Sequence, residues 1–465
     1  MSQSTLIVNG HIWSAHDDFI ADILVNDGKI VAIGKDLHKQ YSADETIDAS
    51  GLYVLPGGID AHTHMELPFM GTKAADDFET GTLAGLHGGT TSIIDFAIQT
   101  QGKSMQSALD DWHAKADGKA VGDYSFHLAV TDFNESTKKE VAKMVEQGVT
   151  SFKTFMAYKG ALMVDDAMML GLMTEVKTQG GIITVHAENG DIVDSLVKKF
   201  KQEGTLSPKY HCLAHPAIAE AEAANRVMDL AHMTDSSLYI VHTSCRDSLA
   251  NVKRNFLRDQ RVFLETCTQY LLLDDSVYEK PNFEGAKYVM SPPIRKKDDQ
   301  VALWASMQAG HVHTVATDHC PFNFCGQKDM GKDDFSKIPN GAAGIEHRLE
   351  LIFSEGVVNK KITMNRFVEV MCTNPATIFG LSNKGSITIG KDADIVLLDP
   401  NEKHTIHSKT HHHNVDSGIY DGWKVTGRVK TVLSNGKIVI RDNKADQVVK
   451  GQGKFQKRKQ FNYSL

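Results

Sequence analysis

A (β/α)8 barrel carrying a small β-sandwich domain, the sandwich built from both chain ends, is the fold that this sequence predicts. Three observations predict it. Eight β-rich segments recur over about 270 residues of the middle of the chain, most of them separated by helical stretches. Hairpin-like phrases stand at both ends and turn at Asn26-Asp27-Gly28 and Asn435-Gly436. The 465 residues, 41% of them hydrophobic and 23% charged, are also enough to bury a core of that size.

Residues 1–55 form the first part of the sandwich, because TLIVNGHIW and ADILVNDGKIVAIG alternate apolar and polar positions in the strand period. The barrel is expected over 56–385. Its strands are predicted at 52–64, 90–99, 124–132, 150–158, 181–189, 237–244, 261–269 and 311–320, with helices such as KKEVAKMVEQG and AIAEAEAANRVMDLAHM between them. The sandwich resumes over 386–444, where DADIVLLDP and KTVLSNGKIVIRD read as strands. Two unrelated hairpins would be the alternative. Chain termini often meet, which favours one composite domain. An open doubly wound sheet competes with the barrel, but no GxGxxG follows the first strand. Residues 445–465 form a basic tail containing Lys450, Lys454, Lys457, Arg458 and Lys459, read as solvated surface, with an arm gripping a neighbouring subunit as the other reading.

Composition excludes several classes of function. Acidic residues outnumber basic ones 58 to 50, giving a net charge of −8, and no basic stripe suggests a nucleic-acid partner. Six scattered cysteines are no disulfide framework. The first residues lack the pattern of a secretory signal, and no run of about 18 apolar residues could span a membrane. The expectation is a reduced, soluble, cytoplasmic protein.

The histidines carry the chemistry. His62 and His64 form His-x-His at the end of the first barrel strand, and residues two apart in a strand face the same way. Other strand ends add His186, His242 and Asp318. Any one of these is more simply a hydrogen-bonded core residue. Together, at equivalent places on a barrel whose sites lie at the C-terminal strand ends, they suit Zn2+ or a similar divalent ion. Lys153 stands in the apolar strand Phe152-Lys153-Thr154-Phe155-Met156, where a charge is costly. Either it pairs with a carboxylate, or its neutral amine has captured CO2 as a carbamate, and the residues alone leave both open. Cys320 and Cys325 read as free buried thiols, and His411-His412-His413 as polar histidines near the small domain instead of metal ligands. No G-x-S-x-G supports a serine nucleophile.

The phrases PGGIDAHTH, TSFKTFMAYKG, ITVHAENGD, YIVHTS, SPPIR, ATDHCPF and IPNGAAGIEHR resemble those of the amidohydrolase superfamily, and more closely those of the dihydropyrimidinase/hydantoinase family of cyclic amidases. The resemblance runs over nearly the whole chain. It implies two divalent ions per subunit, Zn2+ being the ion of first choice. His62 and His64 would bind the more buried ion and His186 and His242 the more exposed one. Lys153, as N6-carboxylysine formed from CO2, would bridge them, and Asp318 would complete the set around the more buried ion. It further implies that a hydroxide bridging the ions attacks the ring carbonyl, with Asp318 as general base and then acid. Tyr158 would bond the developing oxyanion, and Ser291 and Asn340 would hold the imide edge of the ring. Glu188 and His319 would support the ligands. A homotetramer is also implied.

Among relatives of that kind, dihydroorotases often carry an arginine two residues after His-x-His, whereas Met65-Glu66 follows His64 here. A small neutral cyclic ureide or imide is therefore the expected substrate. Phe69 and Phe155 would wall the pocket for its substituent, favouring hydrophobic or aromatic groups and the D configuration. Allantoinase is the competing activity, and the segment 65–82 looks more like the hydantoinase form. A non-catalytic dihydropyrimidinase-like scaffold protein is the competing class; such proteins have lost ligands, and all six ligand positions are filled here.

Overall fold

The computed structural model describes residues 4–256 and 260–461. Five strands open the chain: β1 (Ser4–Trp13), β2 (Asp18–Asn26), β3 (Lys29–Gly34), β4 (Glu45–Asp48) and β5 (Tyr53–Pro56). Then come β6 (Gly58–Thr63), a small hairpin of β7 (Pro68–Phe69) and β8 (Thr72–Lys73), β9 (Thr90–Ile98), β10 (Asp123–Ala129) and β11 (Ser151–Phe155). They are followed by β12 (Ile182–His186), β13 (Leu238–Ile240), β14 (Val262–Cys267) and β15 (Thr314–Ala316). The last four are β16 (Ile395–Thr405), β17 (Lys424–Ser434), β18 (Lys437–Arg441) and β19 (Lys444–Ala445).

The barrel is the parallel set β6 and β9 to β15, paired in sequence order. It closes just beyond β15, where His64 N donates to His319 O at 2.8 Å and His319 N to His62 O at 3.3 Å. The helices between strands pack on its outside, and residues such as Phe126, Phe152, Met169, Leu172 and Val185 are removed from water there.

The first and last strands share a second sheet in the order β19-β18-β17-β16-β5-β1-β2-β3, with β4 beside β1. The two chain ends join where β5 runs antiparallel to β16, from Tyr53 opposite Leu398 to Pro56 opposite Ile395. Bulges near Ile7–Gly10 and at Leu397/Leu398 bend this sheet, so that Ile7, Ile23, Val54, Ile395, Leu433 and Ile438 share one apolar core. The two hairpin turns read from sequence have positive φ at both central residues, Asp27 (48°) and Gly28 (78°), and Asn435 (48°) and Gly436 (76°). They also touch: a Cβ on Gly436 would lie 2.7 Å from Gly28 Cα, so a side chain there would push the ends apart.

The predicted strand 52–64 is in fact two strands. The chain breaks at Gly57, where a Cβ would fall 2.2 Å from Thr91 Oγ1. The first half joins the bent sheet and the second half opens the barrel. Lys384 fastens the two sheets together, its buried ammonium 2.6 Å from both Asp123 at the start of β10 and Asp394 just before β16.

The basic tail departs from the solvated surface expected of it. Tyr124 N donates to Lys454 O (3.1 Å), Gln456 N to Tyr124 O (2.7 Å), Arg458 N to Gly148 O (3.0 Å) and Phe461 N to Gly180 O (2.8 Å). These partners precede or begin barrel strands, so the tail lies across the barrel's N-terminal end. Its lysines stay exposed, but Arg458 is buried and donates to Ser125 Oγ and to the Phe126 carbonyl. A strap docked by its backbone must bury whatever side chain faces inward.

Candidate active site

At the opposite end of the barrel, β6 delivers His62 and His64 to its mouth. Asp318 Oδ1 lies 3.1 Å from Nε2 of each. On its other side His62 donates from Nδ1 to Glu265 Oε1 at 2.7 Å, which fixes the tautomer and leaves Nε2 for a ligand. The donor atoms of His62, His64 and Asp318 lie within 4.8 Å of one another. Burial opposes charge on His62, but Glu265 and Asp318 outweigh it and lift the ring to about 9. Burial likewise pushes the Asp318 carboxyl up, and the two histidines more than reverse this, holding it well below the usual carboxylate range.

His186 ends β12 and His242 follows β13. Nδ1 of the first is 2.8 Å from Nε2 of the second. Glu188 Oε2 takes the other nitrogen of His186 at 2.9 Å, and Glu188 Oε1 meets His215 Nδ1 at 3.0 Å. His242 is close to the first group, its ring centroid 5.4 Å from that of His62. Lys153 points into the same space from β11, 1% exposed, with Nζ 4.7 Å from the Phe96 ring and 5.1 Å from the Phe155 ring. Among the described residues no carboxylate pairs with it, and burial pulls it down to about 8. The pairing read as one alternative for Lys153 is therefore not what the structure has. A buried amine without a counterion, a buried His64 Nδ1 without a partner, and paired imidazole nitrogens facing a carboxylate make a donor set that fits divalent cations.

Three residues here hold backbone angles that L-residues avoid: Tyr158 at φ 64°, His242 at 39° and Asp318 at 54°. Each costs about 1–2 kcal/mol. The surroundings hold them in place. Glu265 Oε1 accepts from His242 N at 2.9 Å, and Thr317 Oγ1 before Asp318 donates to Asp60 Oδ2 at 2.6 Å. After Asp318, His319 is clamped between Asp76 Oδ2 (3.0 Å) and Gly344 N (3.1 Å).

Beside the donors lies a small cavity of about 50 Å³, bordered by His64, Asp318, Phe69, Phe155, Tyr158, Ser291 and Asn340. Tyr158 shares this cavity with Ser291 and Asn340, and Asn340 Nδ2 donates to Ser291 Oγ at 3.0 Å. Burial, then the nearby Glu188 and Asp318 carboxylates, raise Tyr158 far above the usual phenol range, so it stays a donor. A larger cavity of about 890 Å³ adjoins on the outside and shares the walls Leu67, Phe69, Ile98, Tyr158, Leu162 and Asn340. The outer space is a vestibule; the chemistry belongs to the inner one, where the donors are.

The profile of the amidohydrolase family matches residues 53–439. The chain belongs to the amidohydrolase family. This amidohydrolase is 46% identical to the D-hydantoinase of Streptomyces coelicolor over 100% of both chains. It is 42% identical to the dihydropyrimidinase of Rattus norvegicus, covering 98% of this chain and 89% of that one. The crystal structure of dihydropyrimidinase from Brevibacillus agri matches with a TM-score of 0.98 and 46% identity over 100% of both chains.

Several parts of the amidohydrolase site escaped the sequence. Glu265 touches His62, the His242 amide and, at 2.8 Å, the Tyr239 hydroxyl. Its signal was an acidic residue inside the apolar strand VFLETC, the one strand late in the barrel that had contributed nothing. Lys328 was also missed. Its buried Nζ donates to Val289 O (2.8 Å) and Gly341 O (2.7 Å), tying the loop of Ser291 to that of Asn340. Cys320 is buried beside the inner cavity, whereas Cys325 is exposed on a turn whose amide donates to Asp416, not buried as expected.

Proposed function

We propose that this amidohydrolase opens the ring amide of 5-substituted hydantoins and 5,6-dihydropyrimidines to give N-carbamoyl amino acids. The observation that carries the reading is the meeting of His62, His64, Lys153, His186, His242 and Asp318 beside a cavity lined by Tyr158, Ser291 and Asn340. Full-length likeness to a D-hydantoinase and to dihydropyrimidinases supports it.

In this reading His62, His64 and Asp318 would hold one divalent ion and His186 and His242 a second, with Zn2+ suited to the nitrogen-rich set. Lys153 joins them as N6-carboxylysine: its neutral amine forms an N–C bond to CO2 and loses a proton, leaving two carboxylate oxygens. When bound, the ions supply Lewis acidity, lowering the pKa of water and polarising an amide carbonyl. Asp318, a carboxylate at any working pH, accepts the proton of the attacking water. It returns that proton to the ring nitrogen as the C–N bond breaks. Tyr158 donates to the carbonyl oxygen as negative charge gathers there. Ser291 and Asn340, bonded to each other in the structure, turn to the imide edge of the ring. Phe69 and Phe155 wall the space beyond, which suits aromatic 5-substituents, and the 46% identity to a D-hydantoinase supports a D preference. Work as a homotetramer is supported by the family resemblance, and a cytoplasmic location by the scattered cysteines; among the described residues no helix is long and apolar enough to cross a membrane.

The test is metal content and turnover on one sample incubated with zinc and bicarbonate. Two ions at the barrel mouth with opening of dihydrouracil and 5-phenylhydantoin, and not of allantoin, is the expected result. Opening of allantoin alone would make the chain an allantoinase. Loss of all turnover would return the scaffold reading, against which the filled donor positions stand.

A further inference from the structure

We propose that this chain holds a further divalent transition-metal ion, separate from the donors of the barrel mouth, on His347, His411 and His413 at the seam between the barrel and the bent sheet, where the His413 ring lies 5.2 Å from that of His319. His347 precedes the helix Arg348–Ile352 on the barrel, whereas His411 and His413 lie on the segment joining β16 to β17. Elements from two sheets thus bring three imidazoles together, and their donor nitrogens lie within 4.8 Å of one another.

The detail suits an ion. His411 Nε2 is 3.1 Å from Val415 O and so carries the proton, leaving the Nδ1 lone pair free to face Nδ1 of His413 at 3.3 Å. Two imidazoles sharing a tetrahedral zinc at 2.0–2.1 Å stand about 3.3 Å apart. The His347 ring lies across that of His413, centroids 5.4 Å apart at 89°. An adjoining cavity of about 70 Å³, bordered by His87, His347, His404, His407 and His411, has room for a water as fourth ligand. Buried ring nitrogens of His87 and His404 at this cavity have no partner. Carboxylates brace the surround: Glu346 Oε1 meets His412 Nδ1 at 2.8 Å, and Glu350 Oε2 meets His404 Nε2 at 3.0 Å. One contact opposes the ion. Glu346 N donates to His413 Nε2 at 3.3 Å, a long bond that a ring ligating through Nδ1 would give up. Without an ion, a single N–H between the two Nδ1 atoms is the competing arrangement.

All-imidazole donors select Zn2+, Ni2+, Co2+ or Cu2+ over Mg2+ or Ca2+. The ion would pin the segment around Asn414, whose amide donates to Asp76 Oδ1 at 2.8 Å while Asp76 also holds His319. Its role would be to brace that segment.

The experiment compares untagged wild type with H347N/H413M, both reconstituted with Zn2+ and bicarbonate, dialysed against buffered low zinc, and counted for metal per chain. The expected result is one zinc fewer per chain in the variant. Equal zinc in both overturns the proposal and leaves the direct histidine hydrogen bond. Because the readout is a difference, it stands whether or not the barrel mouth binds two ions. Should the double variant fail to fold, H411N is counted in the same way. Cobalt-loaded wild type then gives a second reading, a visible band of tetrahedral nitrogen coordination that H411N should lose.

Discussion

Tyr158 is where the site's strain and its chemistry coincide. Its left-handed backbone aims the hydroxyl into the inner cavity, and burial keeps it protonated. Tyr158→Phe should therefore lower kcat on 5-phenylhydantoin about 100-fold, the worth of one oxyanion donor, with KM little changed. A fall confined to KM would assign the residue to binding alone. Lys328 gives a prediction in pH. Burial pushes it down to about 7 from an ordinary 10.5. Between those values the unfolded chain binds the proton and the folded chain does not, so stability rises with pH from 7 toward 10.5 and this contribution is flat below 7. Wild type should gain about 2 kcal/mol relative to Lys328→Met between pH 7 and 9, read as a widening gap in Tm. A constant gap would mean that the ammonium stays charged on its two carbonyls. Residues of this kind divide by legibility. His62, His64, His186, His242 and Asp318 announce themselves by residue type at strand ends. Glu265 and Lys328 do not, because their meaning lies in what register and loop closure set opposite them.

Among the elements, the hairpin of β7 and β8 has the clearest consequence. Phe69 packs edge-on against Tyr158 with centroids 5.7 Å apart and lines both cavities. Phe69→Ala should cut the preference for 5-phenylhydantoin over 5-methylhydantoin about tenfold in kcat/KM. An unchanged ratio would place the substituent elsewhere. The barrel strands were legible because each is a short apolar run between turn signals. The break at Gly57 was missed although Pro56-Gly57-Gly58 is a turn signal, because Tyr53–Pro56 and Gly58–Thr63 read as one strand and the assignment of each half to its own sheet depends on partners elsewhere, among them Thr91. The tail misled for a similar reason. Its lysines are exposed as their charge suggests, while its docking uses backbone groups that no composition reveals.

Over the whole molecule, Lys384 ties the two sheets together through buried ion pairs. It is 3% exposed and surrounded by Asp123, Asp392 and Asp394. Lys384→Met would leave those carboxylates without their cation and should cost about 3–5 kcal/mol, visible as a large fall in Tm with turnover per folded chain unchanged. A small fall would show that water reaches the cluster once the lysine is gone. The composite sheet was legible from its repeated turns, though the contact of Gly28 with Gly436 was not, being a meeting of two distant loops.

The pairing of β5 with β16 has a bearing on how the protein is made. One edge of β5 finds its partner only when Ile395 has left the ribosome, some 340 residues after Pro56. At about 5–20 residues per second, that edge waits roughly 20–70 s. Throughout that interval the nascent chain displays an open apolar strand edge, a template for wrong pairing with any neighbouring chain. Slower translation lengthens the exposure, so yield in a host should depend on elongation speed and on chaperones that shield the N-terminal strands until the last ones arrive.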